Sequence, residues 1–204
     1  LMLQIIFISF LFWGSDFGDV TLAANQVLLQ FLSITAHALD GFAFAAEALV
    51  GQAFGARSVV RLRRGALLTS IWGVVVCVAL AIAFASFGGV LIDLMAKAPE
   101  VQIEARNYLI YMTLAPILGL AAYMLDGVFI GATRTRDMRN MMALSLLVYV
   151  VAALLLAPSM GNHGLWLALL ISFVARGVTL GLRYPALERA ATNLTDLTKS
   201  PSIL

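Results

Sequence analysis

The sequence predicts an all-α fold, a polytopic membrane helix bundle, and three observations carry that prediction. Of 204 residues, 62% are hydrophobic and 12% charged, with a mean hydropathy of +0.97; soluble domains run near half apolar and a quarter charged. The apolar residues fall in long runs at roughly 22–52, 65–92, 102–131, 141–157 and 164–182, which meet or approach the about 20 residues a helix needs to cross a bilayer. They are too continuous for barrel strands and lack their alternation. Basic residues, finally, alternate between connecting segments. Arg57, Arg61, Arg63, Arg64, Arg134, Arg136, Arg139, Arg183, Arg189 and Lys199 lie in segments 53–64, 132–140 and 183–204, whereas 14–21, 93–101 and 158–163 hold only Lys97. This is a positive-inside pattern. It predicts that the arginine-rich loops and the C-terminus are cytoplasmic, and it supports the span count, because one helix more or fewer would scramble the alternation.

Each element follows in order. Residues 1–13 are apolar from Leu1 onward, with no basic region ahead of them to mark a signal peptide. At about 1.5 Å per residue this run reaches about 20 Å. It is expected to be the truncated end of a sixth helix, in a chain that is the C-terminal piece of something longer. The run 22–52 is followed by Gly55, where a C-terminal cap is expected. The lone Cys77 in 65–92 has no partner for an internal disulfide and reads as a small packing residue. Pro116, with Gly119 close behind, sits inside 102–131, removes a backbone hydrogen bond and predicts a bend, either a hinge or a static kink. "APSMGNHG" (157–164) reads as a tight turn. Residues 186–204, ending "TNLTDLTKSPSIL", read as a loose polar tail with no second domain.

The run 22–52 is unusual. Gln26, Ser33, Asp40 and Glu47 recur every seven residues, which holds them on one helix face with about 20° of drift per step. Gln30 and His37 follow Gln26 and Ser33 by four and widen the same stripe. From Gln26 to Glu47 is about 32 Å of helix, close to the whole hydrocarbon core. Such a stripe is expected to face a water-filled cavity or the bundle interior. Gln26, Gln30 and Ser33 equally suit hydrogen bonding between helices. Asp40 lies near the midplane, where an ionised carboxylate costs at least about 2.5–3.5 kcal/mol, and is the expected functional group; His37 either shares its proton or hydrogen-bonds it.

Two further spans bury charge, Asp126 in "YMLDGVFIG" and Arg176 in "SFVARGVTLG". Counted back from the basic loops, Glu47, Asp126 and Arg176 lie at one depth, about 8–12 Å in, and Asp40 and Asp126 at different depths. Arg176 is expected to neutralise Glu47, Asp126 or both, in a charge cluster or gate, unless it snorkels to the headgroups. A Gly-xxx-Gly pair follows each charge, Gly51/Gly55, Gly127/Gly131 and Gly177/Gly181, as helix-packing candidates.

"LAANQVLLQF", "ALDGFAFAAEALVGQAFGAR", "LDGVFIGATRTRDMRN" and "GNHGLWLAL" resemble the second half of a multidrug and toxic compound extrusion (MATE) transporter, of the DNA-damage-inducible subgroup, over about residues 15–185. The resemblance implies a twelve-helix protein of two six-helix lobes, with residues 1–185 as the C-terminal lobe and its first helix clipped. It implies a cavity between the lobes and export of small organic, often cationic, compounds in antiport with H⁺ or Na⁺ by alternating access. Its partners would be the inner (plasma) membrane bilayer and a missing N-terminal lobe. That subgroup places a key coupling aspartate in the first lobe; another subgroup carries coupling carboxylates on the helices equivalent to 1–13 and 102–131.

No enzyme is expected. Two Leu-Asp-Gly triplets, at 39–41 and 125–127, are not an intramembrane aspartyl protease pattern. No Gly-Lys-Ser/Thr phosphate loop occurs, and no His/Cys cluster has metal-site spacing. No cofactor, metal or nucleic acid is expected, since membrane orientation accounts for the arginine loops. The rival reading is a lipid or polysaccharide-precursor flippase of the same superfamily, which needs basic groups in its cavity; only Arg176 favours it. A purely structural membrane subunit leaves the depth-spanning stripe without a role.

Overall fold

The computed structural model describes residues 2–196. Six helices follow one another: α1 (Met2–Gly14), α2 (Asp19–Gly55), α3 (Val59–Met95), α4 (Pro99–Gly131), α5 (Thr135–Met160) and α6 (Asn162–Asp196), with one 3-10 turn, Ser15–Phe17, between α1 and α2. Five of them, α2 to α6, are long and apolar enough to cross a membrane. The helices outrun the apolar runs that predict them. α2 and α3 have 37 residues each, about 55 Å at helical rise against a core of about 30 Å, so several turns stand clear of any hydrocarbon layer.

Short connections make neighbours antiparallel, so α2, α4 and α6 run one way and α3 and α5 the other. The α2–α3 and α4–α5 turns share one construction. Arg57 and Thr133 take left-handed backbone angles (φ 54 and 57), and the next amides, Ser58 and Arg134, donate to the carbonyls of Ala53 and Phe129 at 2.9 Å. This closes each helix with a Schellman-type pattern. The expected glycine cap at Gly55 is therefore corrected: Gly55 is the last helical residue of α2, and Arg57 makes the turn. At the opposite end Gly161 alone joins α5 to α6, at φ 58 and ψ −138, a conformation that a Cβ would obstruct.

Within a membrane, helix association rests on close packing more than on the hydrophobic effect, and here α2 and α4 come closest. A Cβ added at Gly127 would overlap the backbone of Ala43, and one at Gly131 would overlap that of Glu47. Gly51 answers from α2, where a Cβ would stand only 3.3 Å from the Gly131 carbonyl oxygen. Gly177 brings α6 against α4, where a Cβ would stand 2.9 Å from that of Ala121. The other two candidate packing glycines are not close contacts: Gly181 reaches only the tip of Leu125 at 4.0 Å, and Gly55 has nothing within 4 Å. Pro116 is buried in an uninterrupted α4, where it removes the amide that would bond the Met112 carbonyl. Gly119 leaves room there for the Tyr123 ring. Cys77 is buried with Leu39, Ala43 and Met124.

The loose tail is also corrected. α6 continues through Pro185 to Asp196, because Leu187 and Ala191 extend the helical spacing of Leu180 and bury against Val50, Leu62 and Phe129. Glu188 accepts two bonds from Arg63, at 2.6 and 2.7 Å, and Arg134 donates to the Ala186 carbonyl at 2.9 Å. Pro185 costs this helix one amide only. Residues 197–204 lie outside the described residues.

Forcing a methyl group into the α2–α4 contact is expected to cost about 1–3 kcal/mol, as overpacking does. Gly127→Ala should lower the thermal midpoint of the detergent-purified chain by several degrees, whereas Gly55→Ala, into open space, should leave it unchanged. Equal midpoints for the two variants would show that the glycine contact does not hold the lobe together.

Candidate functional site

α2 divides into two faces. Leu28, Phe31, Leu32, Leu39, Ala43, Ala46 and Val50 are buried against the other helices, as their three- and four-residue spacing dictates. Gln26, Gln30, Ser33 and His37 are exposed, and Asp40 and Glu47 half-buried. The polar stripe thus lies on the flank of α2 that this lobe leaves open. It does not serve as hydrogen-bonding glue inside the bundle.

Concavities follow the stripe for most of its length. One of about 400 Å³ near the α3–α4 turn is lined by Gln26, Gln30 and Lys97. A second, of about 320 Å³, is lined by Gln30, Ser33, Asp40, Tyr123 and, from α1, Leu3 and Phe7. A third, of about 190 Å³, is lined by Asp40, Glu47, Tyr123, Asp126 and Arg176. Gln30 is shared by the first two and Asp40 and Tyr123 by the last two, so the three adjoin in sequence along α2.

The last of these holds the charge cluster. Arg176 Nη2 lies 3.2 Å from Asp126 Oδ2, with side chains 2% and 14% exposed, so Arg176 does not snorkel to the surface. Its guanidinium carbon sits 5.5 Å from the centroid of the Tyr123 ring, within cation–π range. Asp126 Oδ1, Arg176 Nε and the Tyr123 hydroxyl have no hydrogen-bond partner among the described residues, so the cluster keeps an acceptor, a donor and a hydroxyl for other hydrogen bonds. Glu47 lines the same cavity but makes no ion pair among the described residues. Formally, three carboxylates face one guanidinium, which favours positive charge in the cavity.

Two expectations about this region are overturned. Packing of Gly127 on Ala43 and Gly131 on Glu47 sets Asp126 level with Phe42, about 3 Å along the axis from Asp40. Asp40 and Asp126 are therefore nearly level, while Glu47 lies closer to the arginine-bearing end, by about 7 Å from the level of Asp126 and about 10 Å from that of Asp40. Counting from the loops fails because α2 runs two turns further than α4. His37, for its part, does not engage Asp40: its Nδ1 donates to the Ser33 carbonyl, 2.6 Å away on its own helix.

The family model described as MatE matches residues 1–155. The chain belongs to the MatE family. DNA damage-inducible protein F of Escherichia coli (strain K12) is 38% identical over 186 residues, covering 88% of this chain and 39% of that protein. The crystal structure of a eukaryotic MATE transporter, AtDTX14, aligns with a TM-score of 0.76 over 86% of this chain and 41% of that one, at 21% identity, a likeness of fold. The chain spans about two fifths of the length of both.

This MatE-family lobe has polar groups that sequence reasoning did not single out. Asn25 and Asn162 exchange hydrogen bonds at 2.7 and 2.9 Å, and Trp166 Nε1 donates to Asn25 Oδ1 at 3.0 Å, all buried. Glu104 accepts from Thr21 at 3.1 Å and from Tyr108 at 2.9 Å. Tyr111 and His163 meet at 3.0 Å. Together these tie α2, α4 and α6 at the end opposite the arginine-rich loops. Tyr123, between two of the cavities, was also missed.

Removing one member of a buried ion pair strands the other, at a cost of about 3–5 kcal/mol. Asp126→Asn and Arg176→Gln should each destabilise the chain, and the double variant should lose at least about 1 kcal/mol less than the two losses added. Additive losses in thermal or denaturant unfolding would mean the two groups are not energetically coupled.

Proposed function

We propose that this chain is the C-terminal lobe of a two-lobed secondary transporter that exports small organic, chiefly cationic, compounds in exchange for H⁺ or Na⁺ by alternating access. The observation that carries the reading is the run of adjoining concavities along α2, polar from Gln26 to Asp40 and ending at Asp40, Glu47, Asp126 and Arg176. A second six-helix lobe facing this flank would close it into a passage. Asp40 is the coupling candidate on this side: it borders two cavities and no ion pair takes it up among the described residues. Pro116 and Gly119 supply the hinge in α4. Membership of the MatE family supports the transport class, and the alternating arginine loops support an inner (plasma) membrane protein with a cytoplasmic C-terminus.

The flippase reading needs a basic group free to meet a phosphate. Arg176 faces Asp126 at 3.2 Å and is 2% exposed, which weighs against that use. In the complete two-lobed protein, reconstituted in vesicles, Asp40→Asn should abolish or uncouple gradient-driven efflux of a cationic dye while leaving membrane insertion intact. Wild-type efflux with an unchanged pH profile would remove Asp40 from the mechanism.

A further inference from the structure

At the arginine-bearing end, on the flank of α2 turned away from Asp40, α2 and α3 form a second groove. It has a volume of about 280 Å³ and is lined by Leu49, Gln52, Ala53, Arg61, Arg64 and Leu68. Gly65 lines it and lets the two helices approach closely, since a Cβ there would stand 3.0 Å from that of Leu49. Arg61 and Arg64 are three residues apart on one face of α3, where side chains are neighbours. Both are exposed, and neither makes an ion pair among the described residues. Arg63, between them in sequence, points to the other flank and is held by Glu188 at 2.6 Å.

Beneath the two guanidinium groups the same face of α3 is apolar and open. Leu68, Ile71, Trp72, Val75 and Ile82 are 45–61% exposed. From Leu68 to Ile82 is about 21 Å of helix, more than the roughly 15 Å of one leaflet's hydrocarbon. We infer that this groove and strip bind an anionic phospholipid, its phosphate held by Arg61 and Arg64 with the Gln52 amide beside them and one acyl chain lying along α3. A cation pair at the edge of an apolar helix matches that ligand in charge and length at once. A soluble anion would use the cation pair alone, whereas a phospholipid uses the pair and also lies on the lipid-facing strip that continues from it. The inference is independent of the export reading, since it uses no residue of the Asp40 cavity.

The test is lipid retention by the full chain, purified in neutral detergent and exposed to equal amounts of phosphatidylglycerol and phosphatidylcholine, then read by native mass spectrometry. Wild type should retain phosphatidylglycerol in about thirtyfold preference, from the attraction of two arginines. Arg136→Gln/Arg139→Gln, which removes two exposed arginines outside the groove, should keep that preference. Arg61→Gln/Arg64→Gln should bring it close to parity, and millimolar inorganic phosphate should not displace the lipid from wild type. The proposal is overturned if wild type shows no preference, if the Arg61/Arg64 variant retains it, if the Arg136/Arg139 variant loses it equally, or if inorganic phosphate displaces the lipid.

Discussion

Two carbonyl groups occupy the space where side chains of α4 would otherwise lie, and that exclusion sets the relation between α2 and α4. Because Gly127 and Gly131 carry no Cβ, the backbones of Ala43 and Glu47 can rest directly on them, which is how helices associate closely where no hydrophobic gain drives them together. The contact fixes a register as well as a distance. Both Leu-Asp-Gly triplets come nearly level, and Asp40 and Asp126 border one cavity. Had either glycine been a larger residue, α2 would slide or tilt, and the carboxylates would no longer share a compartment with Arg176.

A buried arginine is tolerable only with compensation. Arg176 is compensated partly by Asp126 and partly by the face of Tyr123, and one of its nitrogens, with one carboxylate oxygen, is left unmatched. Polar groups so placed are poor structural cement but well suited to exchanging partners. The other polar cluster contrasts with it. Asn25, Asn162 and Trp166 satisfy one another reciprocally, and Glu104 gathers hydroxyls from two helices. One end of the lobe is fastened by a closed network; the middle is lined by groups with bonding capacity to spare.

The helix order could be read from the chain because apolar runs and alternating arginines report on a membrane directly. That Arg176 would find a carboxylate was legible for a similar reason, since intramembrane charge is costly enough that opposite charges predict each other; which of Glu47 and Asp126 it would meet was not, and the structure pairs it with Asp126. Relative depth was not legible. Counting from the loops assumes that each helix overhangs the membrane equally, and at the arginine-bearing end α2 runs about two turns past the end of α4, a fact residing in the glycine contact. The end of α6 is polar in composition, and only the helical spacing of Leu180, Leu187 and Ala191, which bury in one cluster, marks it as a continuation of the helix. Asn25 passed unnoticed because a single asparagine in an apolar run shows its importance only when its partner, 137 residues away, is placed beside it.

For this lobe to serve a passage, the polar flank of α2 must face water although it lies at membrane depth. Thiol labelling tests this most directly. In a Cys77→Ala background, single cysteines at Gln26, Gln30, Ser33 and His37, and at the exposed α3 positions Ile71 and Val75, would meet a small, charged, water-soluble thiol reagent in membranes containing the two-lobed protein. The expected result is rapid modification at the four α2 positions and little at the two on α3. Protection of the α2 positions to the same degree as Ile71 and Val75 would contradict a wet flank and the export mechanism built on it.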